Sequence, residues 1–136
     1  MEALDIEPGW DAIVASGSAR EQLIQFGVAM LEQYLGPHGG ATLRVFVEAE
    51  MLPDLFQAYR ARVLEPALEQ MREIVERGVS RGELPPDADY REILDLLHGV
   101  ALSRMLLAPH VPVHGVGEVD AREVVARIVD RLIGSS

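Results

Sequence analysis

Hydrophobic and polar positions divide the chain into helical stretches punctuated by glycine and proline. The longest pattern runs from Pro53 to Leu84. Its apolar residues Leu64, Ala67, Leu68, Met71, Ile74 and Val75 recur at steps of three or one, which keeps them on one stripe of a 3.6-residue helix. The outward positions are charged, and Glu73 with Arg77 has the favourable i,i+4 orientation. Gly82, followed by Pro85-Pro86, predicts the stop, because glycine enters the left-handed region and proline cannot continue a helix. Pro66 inside the pattern predicts either a kink between Arg62 and Pro66 or a restart with proline in the first turn. This stretch is expected to be the long central helix against which the rest packs.

Residues 1–17 carry the least pattern and read as a linker. Pro8-Gly9 marks a turn, and Trp10, Ile13 and Val14 suit a short helical turn docked by its apolar side. A helical domain is expected over 18–136. Ser18 and Glu21 form a capping-box signature ahead of Leu23, Phe26, Met30 and Tyr34. Ile24, Val28, Leu31 and Leu35 widen that face enough for more than one neighbour, and Gly36-Pro37 ends the helix. After a loop at His38 to Ala41, the segment from Thr42 to Leu52 alternates Leu43, Val45 and Val47, as a strand would. A lone strand among helices has no ladder partner, so a helix is predicted here.

Asp89 and Glu92 repeat the capping signature before a helix from Tyr90 to about Ala108 that is apolar nearly all round. Such a helix must be covered on all sides, and a second copy of the chain is one expected cover. A Gly/Pro-rich loop follows. Asp120 with Glu123, and Val119 with Val124 at staple positions, start the last helix, lined by Val124, Val125, Ile128, Val129, Leu132 and Ile133. The class is all-α, a bundle of about five helices.

Composition narrows the function. At 136 residues the chain fits one domain, able to bury roughly two thirds of its unfolded surface. Its 12 basic residues are all arginine and stand against 22 acidic ones, a net charge of −10. That field repels a polyanion, so the chain alone is not expected to bind nucleic acid. It has no cysteine, which excludes disulfides and thiolate metal sites and fits a reducing cytoplasm. The acidic N-terminus and the lack of a membrane-length apolar run predict a soluble, cytoplasmic protein without membrane contact.

From Glu48 to Met105 the order of signals becomes specific. An acidic helix end leads to Pro53-Asp54-Leu55, then to a long Arg/Glu helix holding Leu64-Glu65-Pro66. Arg81-Gly82-Glu83-Leu84, the Asp87-Ala88-Asp89 cap and a helix with Gly99 and Arg104-Met105-Leu106 follow. This run resembles the C-terminal domain of TetR-like transcriptional regulators, and the resemblance extends from about Trp10 to the end. It implies a helical domain that binds a small effector and forms homodimers. DNA would be reached only through an N-terminal helix-turn-helix domain, absent here, since the chain begins where that domain would end.

Several residues invite chemical readings. Arg104 shares a side with Ile93, Leu97 and Val100, and reads as an ion pair with Glu48 or Glu50, as a contact across a dimer, or as an anchor for an anion. Asp95 and His98 have carboxylate–histidine spacing, but a di-metal bundle needs two Glu-x-x-His helices and two further glutamates. His110 and His114 share a loop, but a lone pair at that spacing is a weak metal signal. No nucleophile set or phosphate loop is legible, so no catalytic residue, metal or cofactor is assigned and the chain is read as a non-enzyme.

Large adaptable side chains cluster on the helices ahead of the acidic cap. They predict a cavity lined by Phe26, Met30, Tyr34, Phe46, Phe56, Tyr59 and Met71, with Glu50 or His98 as a polar contact. The expected occupant is a small apolar or amphipathic effector. Leu96, Gly99, Val100, Ser103 and Leu107, with Val125, Ile128, Val129 and Leu132, predict a homodimer interface of four helices. The alternative is a helical interaction bundle with a dry, filled core.

Overall fold

The computed structural model describes residues 17–37, 39–107 and 121–133. The elements are α1 (Ala19–Leu35), α2 (Gly39–Val47), α3 (Pro53–Tyr59), a π-helical turn (Arg60–Leu64), α4 (Glu65–Ser80), α5 (Tyr90–Leu107) and α6 (Ala121–Ile133). The backbone stays right-handed helical through Tyr59, Leu64 and Glu65. Segments α3, π and α4 therefore form one rod, and the described residues make five helices without a strand. The expected turn at Trp10, Ile13 and Val14, the loop histidines His110 and His114, and the Val119 and Asp120 signals lie outside the described residues.

Pro66 stands in the first turn of α4, as one of the two expectations had it, and directly after a widened turn that joins α4 to α3. Its ring crowds the carbonyl of Arg62 and it has no N–H to donate. The chain answers with an i→i−5 bond from Glu65 N–H to the Arg60 carbonyl. A π turn is one of the few ways a helix can pass such a block unbroken.

The stop after α4 forms as its residues predict. Gly82 has φ 74°, Glu83 N–H donates to the Gly78 carbonyl at 2.8 Å and Gly82 N–H to Val79 at 3.1 Å. This is a Schellman cap, which only a residue at ease with positive φ completes without strain. It also delivers Leu84 onto Gly78 and lets the Glu83 carboxylate accept from Ala19 N–H at 3.3 Å. A local stop signal thus seals the start of α1.

Four local expectations change. Ser18 Oγ caps Glu21 N–H at 3.1 Å, but the Glu21 carboxylate does not reach back. It takes a bidentate grip from Arg122 on α6, at 2.8 and 3.0 Å. Helix α2 begins at Gly39 and ends at Val47, earlier than expected at both ends, and residues 48–51 form a turn. On α4, Arg72 bridges Glu69 and Glu76, and no Glu73–Arg77 pair forms among the described residues. At the start of α5, Asp89 caps through the N–H of Arg91 at 2.9 Å rather than through the Glu92 position of the expected capping box.

The centre of the bundle is α1, not the long rod. It packs against α2, α4, α5 and α6, and Leu23, Ile24 and Phe26 are wholly buried. From α4 come Ala67, Met71, Ile74 and Val75, from α5 Ile93, Leu97 and Ala101, and from α6 Val125 and Val129. Helix α6 is held across α1 at its edges by Arg122–Glu21 and by Arg20–Asp130 at 2.6 Å. A separate small cluster of Val45, Tyr59 and Val63, backed by Phe46, Leu55, Phe56 and Leu64, joins α2 to the rod.

Candidate functional site: a cavity between two apolar clusters

Between the main core and the small cluster lies a cavity of about 210 Å³. Four elements supply its wall. Helix α1 contributes Met30, Gln33 and Tyr34, and α2 contributes Phe46. The rod adds Tyr59, Val63, Leu64, Ala67 and Leu68, and α5 adds Arg91, Leu94, Asp95 and His98. The π turn places consecutive residues Val63 and Leu64 on the wall. Arg91 and Asp95, paired at 3.4 Å with side chains 66% exposed, mark the mouth.

The inner wall is aromatic. Phe46 stands edge-on to Tyr59 at 5.4 Å between centroids and to His98 at 5.8 Å, the edge-to-face arrangement that ring quadrupoles favour. Behind it Phe56 packs at 6.2 Å. Tyr34 and His98 share a hydrogen bond between the phenol oxygen and Nε2. Burial raises the Tyr34 phenol and pushes Tyr59, which lies beside Tyr34 and Gln33, up to about 12. Burial lowers the His98 imidazole below its ordinary 6.5, against the smaller opposing pull of Asp95. All three side chains are therefore neutral at pH 7, and the interior carries no formal charge. The Gln33 side-chain amide is buried against the Tyr59 hydroxyl, and its hydrogen bond, with that of Tyr34, partly offsets the effect of burial on that phenol.

Of the residues expected to bind a ligand, Met30, Tyr34, Phe46, Tyr59 and His98 meet here. Phe26 and Met71 do not: both are fully buried in the main core, displaced along their helices from the cavity. Phe56 supports Phe46 from behind, and Glu50 is exposed in the turn after α2. Sequence reasoning missed Gln33, Val63, Leu64, Ala67, Leu68, Arg91, Leu94 and Asp95. A signal for the last group existed, because Arg91, Leu94, Asp95 and His98 share i, i+3, i+4, i+7 spacing. The stripe was hidden by α5 being apolar nearly all round.

That second face of α5 is left open. Ile93, Leu97 and Ala101 are buried, whereas Leu96, Leu106 and Leu107 are 43%, 49% and 51% exposed. Gly99 and Ser103 are exposed beside them and Val100 is half-buried, with open space where a Gly99 side chain would lie. On α6, Ile128 and Leu132 are half-buried against the core. Val125 and Val129 are corrections to the expected interface, since both are fully buried within the chain's own core and have no surface to offer. Arg104 is half-buried on α5 and makes no ion pair among the described residues; Glu48 pairs with Arg44 at 3.4 Å instead.

Among the described residues no three His, Asp or Glu side chains stand together as a metal site, and no described helix is long and apolar enough to cross a membrane.

Comparison with known proteins gives a consistent family signal. The model of the tetracyclin repressor-like C-terminal domain matches residues 13–132. An uncharacterized HTH-type transcriptional regulator of Bacillus subtilis (strain 168), YdeS, is 28% identical over 78 residues. That match takes in 57% of this chain and 39% of YdeS, so the chain spans about two fifths of that relative's length. No solved structure matches the chain.

Proposed function

The chain belongs to the tetracyclin repressor-like C-terminal domain family, and on that premise we propose that it is the effector-binding and dimerisation domain of a transcriptional regulator. Occupation of the cavity by a small molecule would favour one arrangement of the helices and so change the DNA affinity of the full regulator. The observation that carries this reading is the cavity itself. It opens between two apolar clusters and is walled by aromatic and aliphatic side chains with a few polar groups, the usual make-up of a small-molecule site. An interaction bundle with no ligand would gain by filling that space.

Dimerisation is the second half of the proposal. The exposed Leu96, Gly99, Ser103 and Leu107 with the half-buried Val100, joined by the half-buried Ile128 and Leu132 of α6, would give an apolar, self-complementary face for a two-fold partner. The test of effector binding is a thermal-shift screen of apolar and amphipathic small molecules, run on the wild-type chain and on Leu94→Trp. A ligand at a hundred times its Kd stabilises by about 2.7 kcal/mol. The expected result is a set of compounds that raise the wild-type Tm and leave Leu94→Trp unmoved. Absence of any binder, or equal shifts in both proteins, would remove the effector-site reading.

A further inference from the structure

In an unbroken α-helix the residue one turn before Leu64 is Arg60, which would therefore face the cavity. Tyr59 stands there instead. It lines the cavity and is 1% exposed, whereas the Arg60 side chain is 55% exposed and pairs with Glu65 at 3.3 Å. Residues five apart lie about 140° apart around an α-helix, on different faces. Here the bond from Glu65 N–H to the Arg60 carbonyl stacks them. The widened turn thus holds one extra residue, which turns the guanidinium out and the phenol in.

That exchange sets the charge of the wall. The charged lining groups are Arg91 and Asp95, paired with each other at the mouth. Arg60 in the place of Tyr59 would set a cation in a wall otherwise aromatic and aliphatic, where it would draw an anion. Pro66 is exposed and is not part of the wall. Yet an unbroken helix needs the N–H of residue 66 to donate to the Arg62 carbonyl, and proline has no N–H and a ring that crowds that oxygen. Taking the cavity as the effector site proposed above, we propose that Pro66 determines its ligand class. By excluding the unbroken helix, Pro66 keeps Tyr59 rather than Arg60 on the wall and reserves the pocket for uncharged, apolar molecules.

Toluene and benzoate share one ring and differ in charge, and calorimetry on the full chain compares them. The wild type should bind toluene about tenfold or more tighter than benzoate. Pro66→Ala should reverse that order. Deleting the exposed Ala61 as well removes the extra residue and makes Tyr59 the ordinary i−4 neighbour of Leu64, so the wild-type order should return. General damage to the fold would not be repaired by a deletion. A thiol reads the register without any ligand. The chain has no cysteine, so Arg60→Cys supplies a single one, which a maleimide should modify about tenfold more slowly once Pro66→Ala is added. Equal thiol rates, an order that Pro66→Ala leaves unreversed, or a reversed order that the deletion does not restore would each overturn the inference and leave the effector pocket standing. Tighter wild-type binding of benzoate would overturn it too. If neither probe binds the wild type, the pocket reading falls and the inference with it. If Pro66→Ala does not fold, the variant that also lacks Ala61, an unbroken helix, should still fold and keep the wild-type order; loss of that order would overturn the inference.

Discussion

Gly27 lies in the middle of α1, where glycine is about 1 kcal/mol worse than alanine in an exposed helix. On propensity alone Gly27→Ala stabilises. The packing predicts the reverse. A Cβ at this position would stand 2.5 Å from Val125 Cγ1 and 3.3 Å from Leu97 Cδ2. Both neighbours are fully buried, so neither can swing toward solvent. Overpacking of this kind costs about 1–3 kcal/mol, which after the propensity gain leaves a net loss of roughly 0–2 kcal/mol. Val125→Ala alone removes two methyl groups, worth about 1.6 kcal/mol in transfer energy before any cavity contribution. In the double variant the new methyl of residue 27 enters the space left at residue 125. The two changes should therefore couple favourably by about 1 kcal/mol or more. Urea unfolding, followed at several protein concentrations to separate any subunit dissociation, measures all three variants through the midpoint and slope. Stabilisation by Gly27→Ala with an additive cycle would show that α6 does not pack its Val125 face on α1, and would return Val125 to the list of residues available to a partner.

Three further outcomes are expected. Leu96→Asp, on the open face of α5, should convert a dimer at tens of micromolar, about the usual assay range, into a monomer by light scattering; a wild-type chain already monomeric there would refute the interface. His98 is held below its ordinary 6.5 by burial, so the unfolded chain takes up the proton first. Its contribution is then undiminished above about pH 6.5 and is lost as pH falls through the folded value. His98→Gln should flatten the Tm profile between about pH 6.5 and pH 5, above the range where the lowered carboxyls of Glu21, Glu69 and Asp130 titrate; an unchanged profile would contradict the sign. With a net charge of −10 and no lysine, the chain should show no DNA binding at micromolar concentration in low salt, and a measurable anisotropy change would count against this.

Signals that act within a few residues were legible in the sequence. Ser18 caps, Gly82 closes the Schellman turn and Asp89 caps α5 because each needs only its immediate neighbours. Pro66 announced a disturbance, but the period of the apolar positions did not show that it takes the form of a π turn over Arg60–Leu64, whose Val63 and Leu64 pack in the small cluster. Periodicity likewise reported which faces are apolar, and so the helix count and class. It could not report what each face meets. The same pattern that made the rod look central served equally well for α1, which became the centre because it packs against four other elements. Phe26 and Met30 lie one turn apart on a single stripe, yet one fills the core and the other lines the cavity. Val125 and Ile128 share the apolar side of α6, yet only the first is buried completely, opposite Gly27. A helix fixes the direction of a side chain through its own hydrogen bonds, whereas depth along the axis is fixed by the partner helix, and partners are chosen only when the whole chain packs.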